Sequence, residues 1–236
     1  MSRHFYSAVL RDARLAAQRT RHMEFEMQNG QRFAFLPGQF ISLSVGQEPA
    51  SSSRLYSIAS APRADNRFDL CLRLRPDDAV SSEMFNLKRG EVVRFSGPFG
   101  FFTLREPPDS VSVFIAAGTG IAPIRAMLQQ LYRRPYSGEA WLFFGVRSEP
   151  DILYRTEFEK LAQENPGFHF LPSLSRPEPT WAGLRGYVQS HIPRYLAGKT
   201  GLHAYACGQR KMIDDVTQAL RRMGRSSEAI SSEEFD

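Results

Sequence analysis

Hydrophobic and polar positions follow different patterns in the two halves of the chain. In the first hundred residues, short runs rich in β-branched and aromatic residues are separated by turn residues, which predicts a series of short strands. One short helix is predicted over Ser82–Leu87, with Ser81 or Ser82 as its N-cap. The predicted strands are Phe5–Leu10, Arg21–Met27, Phe40–Val45, Leu55–Ser60, Phe68–Leu74 and Val92–Phe95. Closely spaced strands with a single helix favour an antiparallel β-barrel.

The pattern changes after a proline-containing segment between Leu104 and Ser110. Val111–Ala117 is an unbroken apolar run, which is expected of a strand buried on both faces. A helical stripe of Ile124, Met127, Leu128 and Leu131 follows, and then strands at Ala140–Gly145, Phe168–Leu171 and His203–Cys207 with helices at Leu153–Gln163 and Lys211–Met223. This alternation is typical of a doubly wound parallel sheet. We therefore predict an antiparallel β-barrel domain over 1–105 and an α/β doubly wound domain over 110–236.

Composition adds limits on where the protein acts. Hydrophobic residues make up 42% of the chain and charged residues 23%, which is ordinary for a globular protein. No apolar stretch approaches the roughly 20 residues that a membrane span needs. The first five residues, Met1 to Phe5, lack the apolar core of a signal peptide. These features predict a cytoplasmic protein.

The cysteine and histidine content restricts the redox chemistry. Cys71 and Cys207 are too few to hold a cysteine-ligated iron–sulfur cluster or a cysteine-rich zinc site, and the five histidines show no metal-ligand spacing. We therefore predict no metal site. If the chain moves electrons, an organic cofactor must carry them here, and any iron–sulfur centre lies on a partner.

The formal net charge is +5, and arginines are concentrated in the first 21 residues. Such a surface is either simply solvated or attracts an acidic partner or an anionic nucleotide. Nucleic-acid binding is disfavoured because no run of arginine or lysine exceeds two residues.

The midpoint of the chain carries a glycine-containing turn, Gly118-Thr119-Gly120, between an apolar strand and a helix. Small residues let the backbone approach a pyrophosphate, and free N–H groups at the helix start attract its charge. Pro123 stands where a Rossmann fingerprint has its third glycine, so that fingerprint is absent. By itself the turn is about equally consistent with a nucleotide site and with a ligand-free connection.

Two further motifs are weak when each is taken alone. In Arg54-Leu55-Tyr56-Ser57, strand alternation places Arg54 and Tyr56 on one face, where a guanidinium suits phosphate and an aromatic ring suits a planar ring system. An ordinary surface Arg–Tyr pair explains the same pattern. Cys207 ends an apolar strand; such a cysteine usually belongs to the core, but ligands of parallel sheets bind at the carboxyl ends of strands.

Together, in this order, the motifs resemble the plant-type ferredoxin–NADP⁺ reductase superfamily of two-domain flavoproteins. The similarity extends over nearly the whole chain. It rests on PGQF at 37–40, RLYSIAS at 54–60, GPFG at 97–100, GTGIAP at 118–123, AWLFFGV at 140–146, LY at 153–154 and YACG at 205–208.

The resemblance implies a role for each motif. Arg54, Tyr56 and Ser57 would hold FAD, with Tyr56 stacked on the isoalloxazine ring and Ser57 near its N5 atom, and Ser82 would receive the flavin pyrophosphate. Gly118, Thr119 and Gly120 would hold the pyrophosphate of the nicotinamide nucleotide. Cys207 would pack beside the nicotinamide. Near the C-terminus, Glu233 would be an acid beside the nicotinamide and Phe235 would shield the flavin, although Asp236 follows and a frayed acidic tail explains these residues almost as well.

Two features of the cofactors stay open. The segment after Arg75 is shorter than the loop on which plant members rest the flavin adenine, so FMN is an alternative to FAD. The residues expected near the second nucleotide are Arg147, Ser175, Arg176, Arg185 and Tyr187. Serine and arginine suit a 2′-phosphate, which favours NADPH over NADH.

The resemblance implies a flavoenzyme that takes hydride from NADPH or NADH and passes single electrons to a separate acidic carrier, such as a ferredoxin, or to an oxygenase component. The cysteine count excludes an oxygenase reductase with its own cluster domain in this chain. One alternative is a reductase of free flavin. An alternative of another class is a binding or regulatory module without turnover, which the intact Ser57, Cys207 and Glu233 disfavour.

Overall fold

The computed structural model describes residues 5–45, 52–106 and 108–235. Residues 1–4, Pro107 of the predicted boundary segment and Asp236 lie outside this described part. The chain divides into two compact units: the first ends at Leu104 and also includes Arg125–Gln130, and the second comprises Arg105–Ile124 and the chain from Leu131 onward. The boundary between 105 and 110 stays a prediction.

The first unit contains one antiparallel sheet with the order β4-β3-β6-β1-β2-β5. Its strands are β1 (Phe5–Ala17), β2 (Thr20–Met27), β3 (Phe40–Val45), β4 (Ser52–Ser57), β5 (Arg67–Arg73) and β6 (Val92–Phe99). The prediction that β1 ends at Leu10 is wrong. Its polar second half continues to pair with β2 as far as Ala17 and Thr20, because a hairpin needs no buried face at its tip.

The two outer strands of this sheet also meet each other. Ile58, directly after β4, forms an antiparallel bridge with Leu70 of β5, and the Ala59 N–H donates to the Asp69 carbonyl at 2.8 Å. The sheet therefore closes on itself, as an antiparallel barrel requires. Stacked and edge-on aromatic rings fill its interior, among them Phe25, Phe33, Phe68 and Phe95.

The short helix α1 (Ala79–Asn86) begins three residues earlier than predicted. Its N-cap is Asp78, whose Oδ1 accepts the Ser81 N–H at 2.6 Å. The prediction of Ser81 or Ser82 as the cap is wrong, because Ser81 is buried inside the first turn. The Ser81 hydroxyl instead donates to the Arg73 carbonyl and accepts the Arg75 N–H.

The second unit contains a parallel sheet with the order β10-β9-β8-β7-β11-β12. Its strands are β7 (Val111–Ala117), β8 (Glu139–Val146), β9 (Phe168–Leu174), β10 (Leu184–Arg185), β11 (Leu202–Gly208) and β12 (Ile230–Glu234). Its helices are α3 (Arg155–Glu164), α4 (Ile192–Leu196) and α5 (Arg210–Arg222). The helix α2 (Ile121–Leu131) begins in this unit, but its residues Arg125–Gln130 belong to the first unit. The doubly wound class is confirmed; β10, α4 and β12 are additions to the predicted elements.

Within the described residues, no helix combines the length and apolar character needed to cross a membrane.

Candidate functional site

In the first unit, Tyr56 is buried and its hydroxyl lacks a hydrogen-bond partner in the described part of the chain. Leu55 on the opposite face of β4 is 60% exposed, whereas Tyr56 is 9% exposed. The Tyr56 hydroxyl is buried and has no hydrogen-bond partner among the described residues. Burial raises the pKa of Tyr56 to about 12, so the hydroxyl is a protonated donor at neutral pH. A buried hydroxyl without a partner is rare, and a ligand atom would satisfy it.

Arg54 lies two residues before Tyr56 on the same face of β4. Its Nη1 atom hydrogen-bonds and ion-pairs with Oδ2 of Asp78. Since Asp78 is also the N-cap of α1, the guanidinium and the start of the helix lie at one place. Both groups favour anions, which makes this the part of the first unit best suited to a phosphate.

The surroundings of Ser57 and Ser82 do not by themselves indicate a ligand. Ser57 is half-buried at the end of β4, opposite Phe40 of β3. Ser82 lies in the first turn of α1, but its N–H already donates to the Asp78 carbonyl at 2.9 Å. Its hydroxyl is 3.5 Å from the Arg75 carbonyl. The contact of Ser82 with the flavin pyrophosphate thus stays a prediction. Its hydroxyl would have to make this contact, because its N–H already has a partner.

Residues that the sequence analysis missed hold the backbone directly after Ser57. Arg125 Nη1 donates to the Ala59 carbonyl at 2.7 Å, and the Ala61 N–H donates to Gln129 Oε1 at 3.0 Å. Arg125 and Gln129 are four residues apart on α2, so they lie on one helix face. The sequence shows that spacing, but it does not indicate that Arg125–Gln130 belong to the first unit and hold the segment after β4.

In the second unit, Gly118-Thr119-Gly120 form a single 3₁₀ turn between β7 and α2. Gly118 has φ +55°, a left-handed conformation that glycine adopts without strain. Gly120 is needed for a different reason, namely close approach: a Cβ there would lie 2.3 Å from the Cys207 carbonyl oxygen and 2.8 Å from the Phe235 ring. The turn therefore brings its backbone close to the carboxyl end of β11.

Cys207 is fully buried at that end of β11. Burial raises the pKa of the Cys207 thiol well above its ordinary value, and the Glu233 carboxylate adds to the shift. The thiol is consequently neutral at physiological pH. A neutral buried thiol is a poor nucleophile, so this side chain can shape a wall of the site but is not set up for covalent catalysis.

The last residues extend the sheet at the same edge. β12 pairs in parallel with β11, with Glu233 opposite Cys207, and the Phe235 N–H donates to the Gly208 carbonyl at 3.2 Å. The frayed-tail alternative is wrong for Glu233 and Glu234, because both have a strand partner in β11, whereas Asp236 lies outside the described residues. The structure thus gathers Gly120, Cys207, Glu233 and Phe235 at the carboxyl edge of one sheet, where parallel sheets bind ligands.

The arginines predicted to contact the second nucleotide are in different situations. Arg147 follows β8 and Ser175 follows β9; the Ser175 N–H donates to the Val146 carbonyl, and the Arg176 N–H to the Arg147 carbonyl at 2.8 Å. Arg147 and Arg176 are both exposed. Arg185, in contrast, directs Nη2 to the carbonyls of Glu178, Pro179 and Trp181.

Arg147, Ser175 and Arg176 therefore form one basic corner beyond β8 and β9, whereas Arg185 braces the loop before β10. Tyr187, just after β10, is 69% exposed. In the part of the chain that the structure describes, no group of three or more histidine, cysteine or acidic side chains could hold a metal ion.

Comparisons with known proteins divide the chain in the same way. Residues 7–104 match the model of the oxidoreductase FAD-binding domain family, and residues 114–218 match that of the oxidoreductase NAD-binding domain family. The FAD match covers the barrel and α1, and the NAD match covers most of the parallel sheet.

Similar proteins include ferredoxin–NADP reductase B of Sorangium cellulosum (strain So ce56), 37% identical over 95% of this chain and 97% of the relative. The xylene/toluene monooxygenase electron transfer component of Pseudomonas putida is 31% identical over 90% of this chain and 61% of its own length. Among solved structures, the cytochrome P450 reductase of Amycolatopsis has a TM-score of 0.88 and 28% identity over 100% of this chain and 71% of that one. The chain thus spans nearly all of the first protein and less than two thirds of the second.

Proposed function

Because the chain belongs to the ferredoxin–NADP reductase superfamily of FAD- and NAD(P)-dependent oxidoreductases, we propose that it takes hydride from NADPH and passes single electrons to a separate protein acceptor. The observation that carries the proposal is the grouping of Gly120, Cys207, Glu233 and Phe235 at one sheet edge. That edge would place a glycine turn suited to a diphosphate beside the uncharged thiol of Cys207.

The first unit supplies the groups that would hold FAD. Arg54 and the start of α1 would bind its phosphates, and the unpaired Tyr56 hydroxyl would donate to a polar atom of the flavin while the ring packs on its plane. Bound flavin supplies the exchange between two-electron hydride chemistry and one-electron transfer. Arg125 and Gln129 would keep the segment after Ser57 in place by holding its backbone.

The second unit would orient the nicotinamide nucleotide. Gly118, Thr119 and Gly120 present small residues and backbone N–H groups at the start of α2, which suits a pyrophosphate. Cys207 would pack against the nicotinamide as an uncharged surface, and Glu233 would offer a carboxylate beside it. Phe235, fixed by its N–H to Gly208, would shield the flavin. The contribution of these side chains is orientation and exclusion of water.

The preference for NADPH rests on the basic corner. Arg147 and Arg176 are exposed and joined by a backbone hydrogen bond, and Ser175 directly precedes Arg176. Such donors suit a 2′-phosphate, whereas free ribose hydroxyls call for an acidic residue. We propose that Arg185 supports this corner by holding the adjacent loop, since its Nη2 atom donates to carbonyls of that loop.

The acceptor is proposed to be a ferredoxin-like protein or an oxygenase component. Two similar proteins are named for such roles, one as a ferredoxin–NADP reductase and one as an electron transfer component of a monooxygenase. The net charge of +5 favours an acidic surface on the partner.

A visible absorption spectrum tests the proposal. The purified protein would be incubated with FAD, freed of excess flavin by gel filtration, and then mixed anaerobically with NADPH or NADH. Flavin bands that stay with the protein and bleach faster with NADPH support the proposed function. A colourless protein that oxidises NADPH only while free flavin is present would instead make it a reductase of free flavin. A colourless protein that is inert with both would contradict any redox role.

A further inference from the structure

The site proposed for the flavin phosphates, Arg54 and the start of α1, already contains a carboxylate of the chain itself. Asp78 Oδ2 ion-pairs with Arg54 Nη1, and Asp78 Oδ1 accepts the Ser81 N–H at 2.6 Å. The carboxylate therefore occupies both kinds of donor that a phosphate would use here, a guanidinium and the N-terminus of a helix.

An independent observation indicates that a ligand belongs beside this pair. The buried Tyr56 hydroxyl has no hydrogen-bond partner among the residues that the structure describes. Tyr56 lies close enough to Arg54, Asp78 and Arg75 for their charges to act on its ionisation. A buried donor without a partner among the described residues, next to two arginines and a helix start, is suited to a polar atom of a ligand.

Asp78 carries a full negative charge at neutral pH. Burial by itself would raise the pKa of its carboxyl group, but the Ser81 N–H and the guanidinium of Arg54 outweigh burial and hold that pKa below its ordinary value. A flavin phosphate that approaches Arg54 and the start of α1 therefore meets a like charge at short range and must displace it.

Resting on the flavin site of the proposed function, we propose that Asp78 competes with the phosphate groups of the flavin for Arg54 and the N-terminus of α1. Asp78 is thus a residue that sets flavin affinity and selectivity. It weakens the binding of FAD and FMN and leaves the binding of riboflavin, which has no phosphate, unchanged. The chain holds its flavin less tightly than the same site would hold it without this carboxylate.

Asp78→Asn tests this with little disturbance, because asparagine is as good an N-cap as aspartate and removes only the charge. Dissociation constants of the flavin-free protein for FAD, FMN and riboflavin would be measured by flavin fluorescence at one fixed ionic strength. We expect Asp78→Asn to bind FAD and FMN about tenfold more tightly, equivalent to about 1.4 kcal/mol. Riboflavin affinity should change by less than about twofold, because no phosphate competes with the carboxylate.

Asp77→Asn is the matched control. Asp77 is exposed, carries the same charge and is not the N-cap, so its substitution should alter all three affinities by less than about twofold. Asp78→Ser, a second uncharged N-cap, keeps the test intact if the asparagine variant does not fold.

The outcomes separate this inference from the function beneath it. If the wild-type protein binds FAD and both Asp78 variants bind it equally or more weakly, the competition is refuted and the proposed function stands. An equal gain in affinity for riboflavin would also refute it, because the effect would not depend on phosphate. If neither the wild-type protein nor any variant binds a flavin, the flavin site itself is refuted, and the proposed function with it.

Discussion

Gly120 packs directly against the main chain of Cys207. A Cβ at position 120 would lie 2.3 Å from the Cys207 carbonyl oxygen, whereas Gly118, two residues earlier, has no heavy atom within 4 Å of the place where its Cβ would be. The two glycines of one turn are therefore needed for different physical reasons: Gly120 for space, and Gly118 for its left-handed backbone at φ +55°.

The close approach of Gly120 predicts a loss of activity when a side chain is added there. Gly120→Ala must move the turn away from β11, because the nearest atoms belong to backbone that cannot rotate aside. We expect it to lower kcat/KM for NADPH by about 100-fold, comparable to other cases in which reacting groups are misplaced by about 1 Å. Steady-state kinetics with a dye acceptor would measure this.

Gly224→Ala is the control for the backbone alone. Gly224 has φ +79°, lies after α5 and has open space around its Cβ position. Alanine there should cost about 1 kcal/mol of unfolding free energy and leave kcat/KM unchanged. If Gly120→Ala were as active as Gly224→Ala, the close packing of the turn on Cys207 would have no part in nucleotide binding.

The thiol of Cys207 should make the protein sensitive to alkaline pH. Its pKa is raised in the folded state, first by burial and then by Glu233. Above the ordinary thiol pKa of about 8.5 the unfolded chain releases this proton and the folded chain keeps it, so folding stability falls as pH rises, by up to about 1.4 kcal/mol per pH unit. Below pH 8 both states are protonated and the contribution is constant.

Cys207→Ala removes that titration. Denaturant unfolding would be measured between pH 7 and 10. As pH rises above about 8.5, the unfolding free energy of the wild type should fall relative to that of Cys207→Ala. Glu233→Gln should retain most of the wild-type slope, since burial is the larger cause of the shift. A stability difference that stays constant over the whole range would show that the thiol titrates normally.

The sequence predicted the architecture well where burial alone sets the pattern. Val111–Ala117 reads as an unbroken apolar run and is β7 with the same bounds, since both faces of that strand are covered. Phe40–Val45 likewise coincides with β3. β12 could not be recognised in the same way, because Ile230–Glu234 is mostly polar and is held by backbone pairing to β11 rather than by an apolar face.

For the site, local motifs located the residues but not their long-range partners. Arg54 and Tyr56 could be assigned to one face of a strand from alternation alone. Asp78 could not be identified as the partner of Arg54, because the pairing joins positions 24 residues apart through the fold. The brace from Arg125 to Ala59 spans 66 residues for the same reason.

Arg125 also forms a buried ion pair within the first unit. Its Nη1 lies 2.9 Å from Asp69 Oδ2, and the two side chains are 9% and 5% exposed. Arg125→Met would remove one partner and leave the Asp69 carboxylate with Arg63 at 3.4 Å and, when protonated, His22 at 3.7 Å. We expect a loss of about 3–5 kcal/mol in unfolding free energy, because an incompletely compensated buried charge is costly.

The surface pair Lys160–Glu164 gives the comparison, with side chains 71% and 59% exposed. Lys160→Met should cost at most about 1 kcal/mol. Urea unfolding of both variants measures the two effects. The Asp69→Asn variant and the double variant with Arg125→Met complete a cycle that shows how much of the loss belongs to the Arg125–Asp69 pair. Equal costs for Arg125→Met and Lys160→Met would mean that Asp69 is fully compensated by its other neighbours.

The basic corner and the loop brace predict different outcomes for two arginines of the same domain. Arg176→Ala removes an exposed cation from the place proposed for the 2′-phosphate. We expect it to lower kcat/KM for NADPH by about 10–100-fold, in line with the loss of one charge-assisted hydrogen bond of about 1.5–3 kcal/mol. The value for NADH should hardly change, because NADH has no 2′-phosphate.

Arg185→Ala instead releases three carbonyl contacts in the loop before β10. It should lower thermal stability and alter kcat/KM for NADPH and NADH by the same factor, so that their ratio is preserved. Measuring kcat/KM for NADPH and NADH with both variants separates recognition of the 2′-phosphate from support of the loop. If Arg176→Ala leaves NADPH turnover unaffected, the 2′-phosphate does not bind at this corner. If Arg185→Ala lowers the NADPH/NADH ratio and Arg176→Ala does not, the 2′-phosphate lies near β10 rather than at the basic corner.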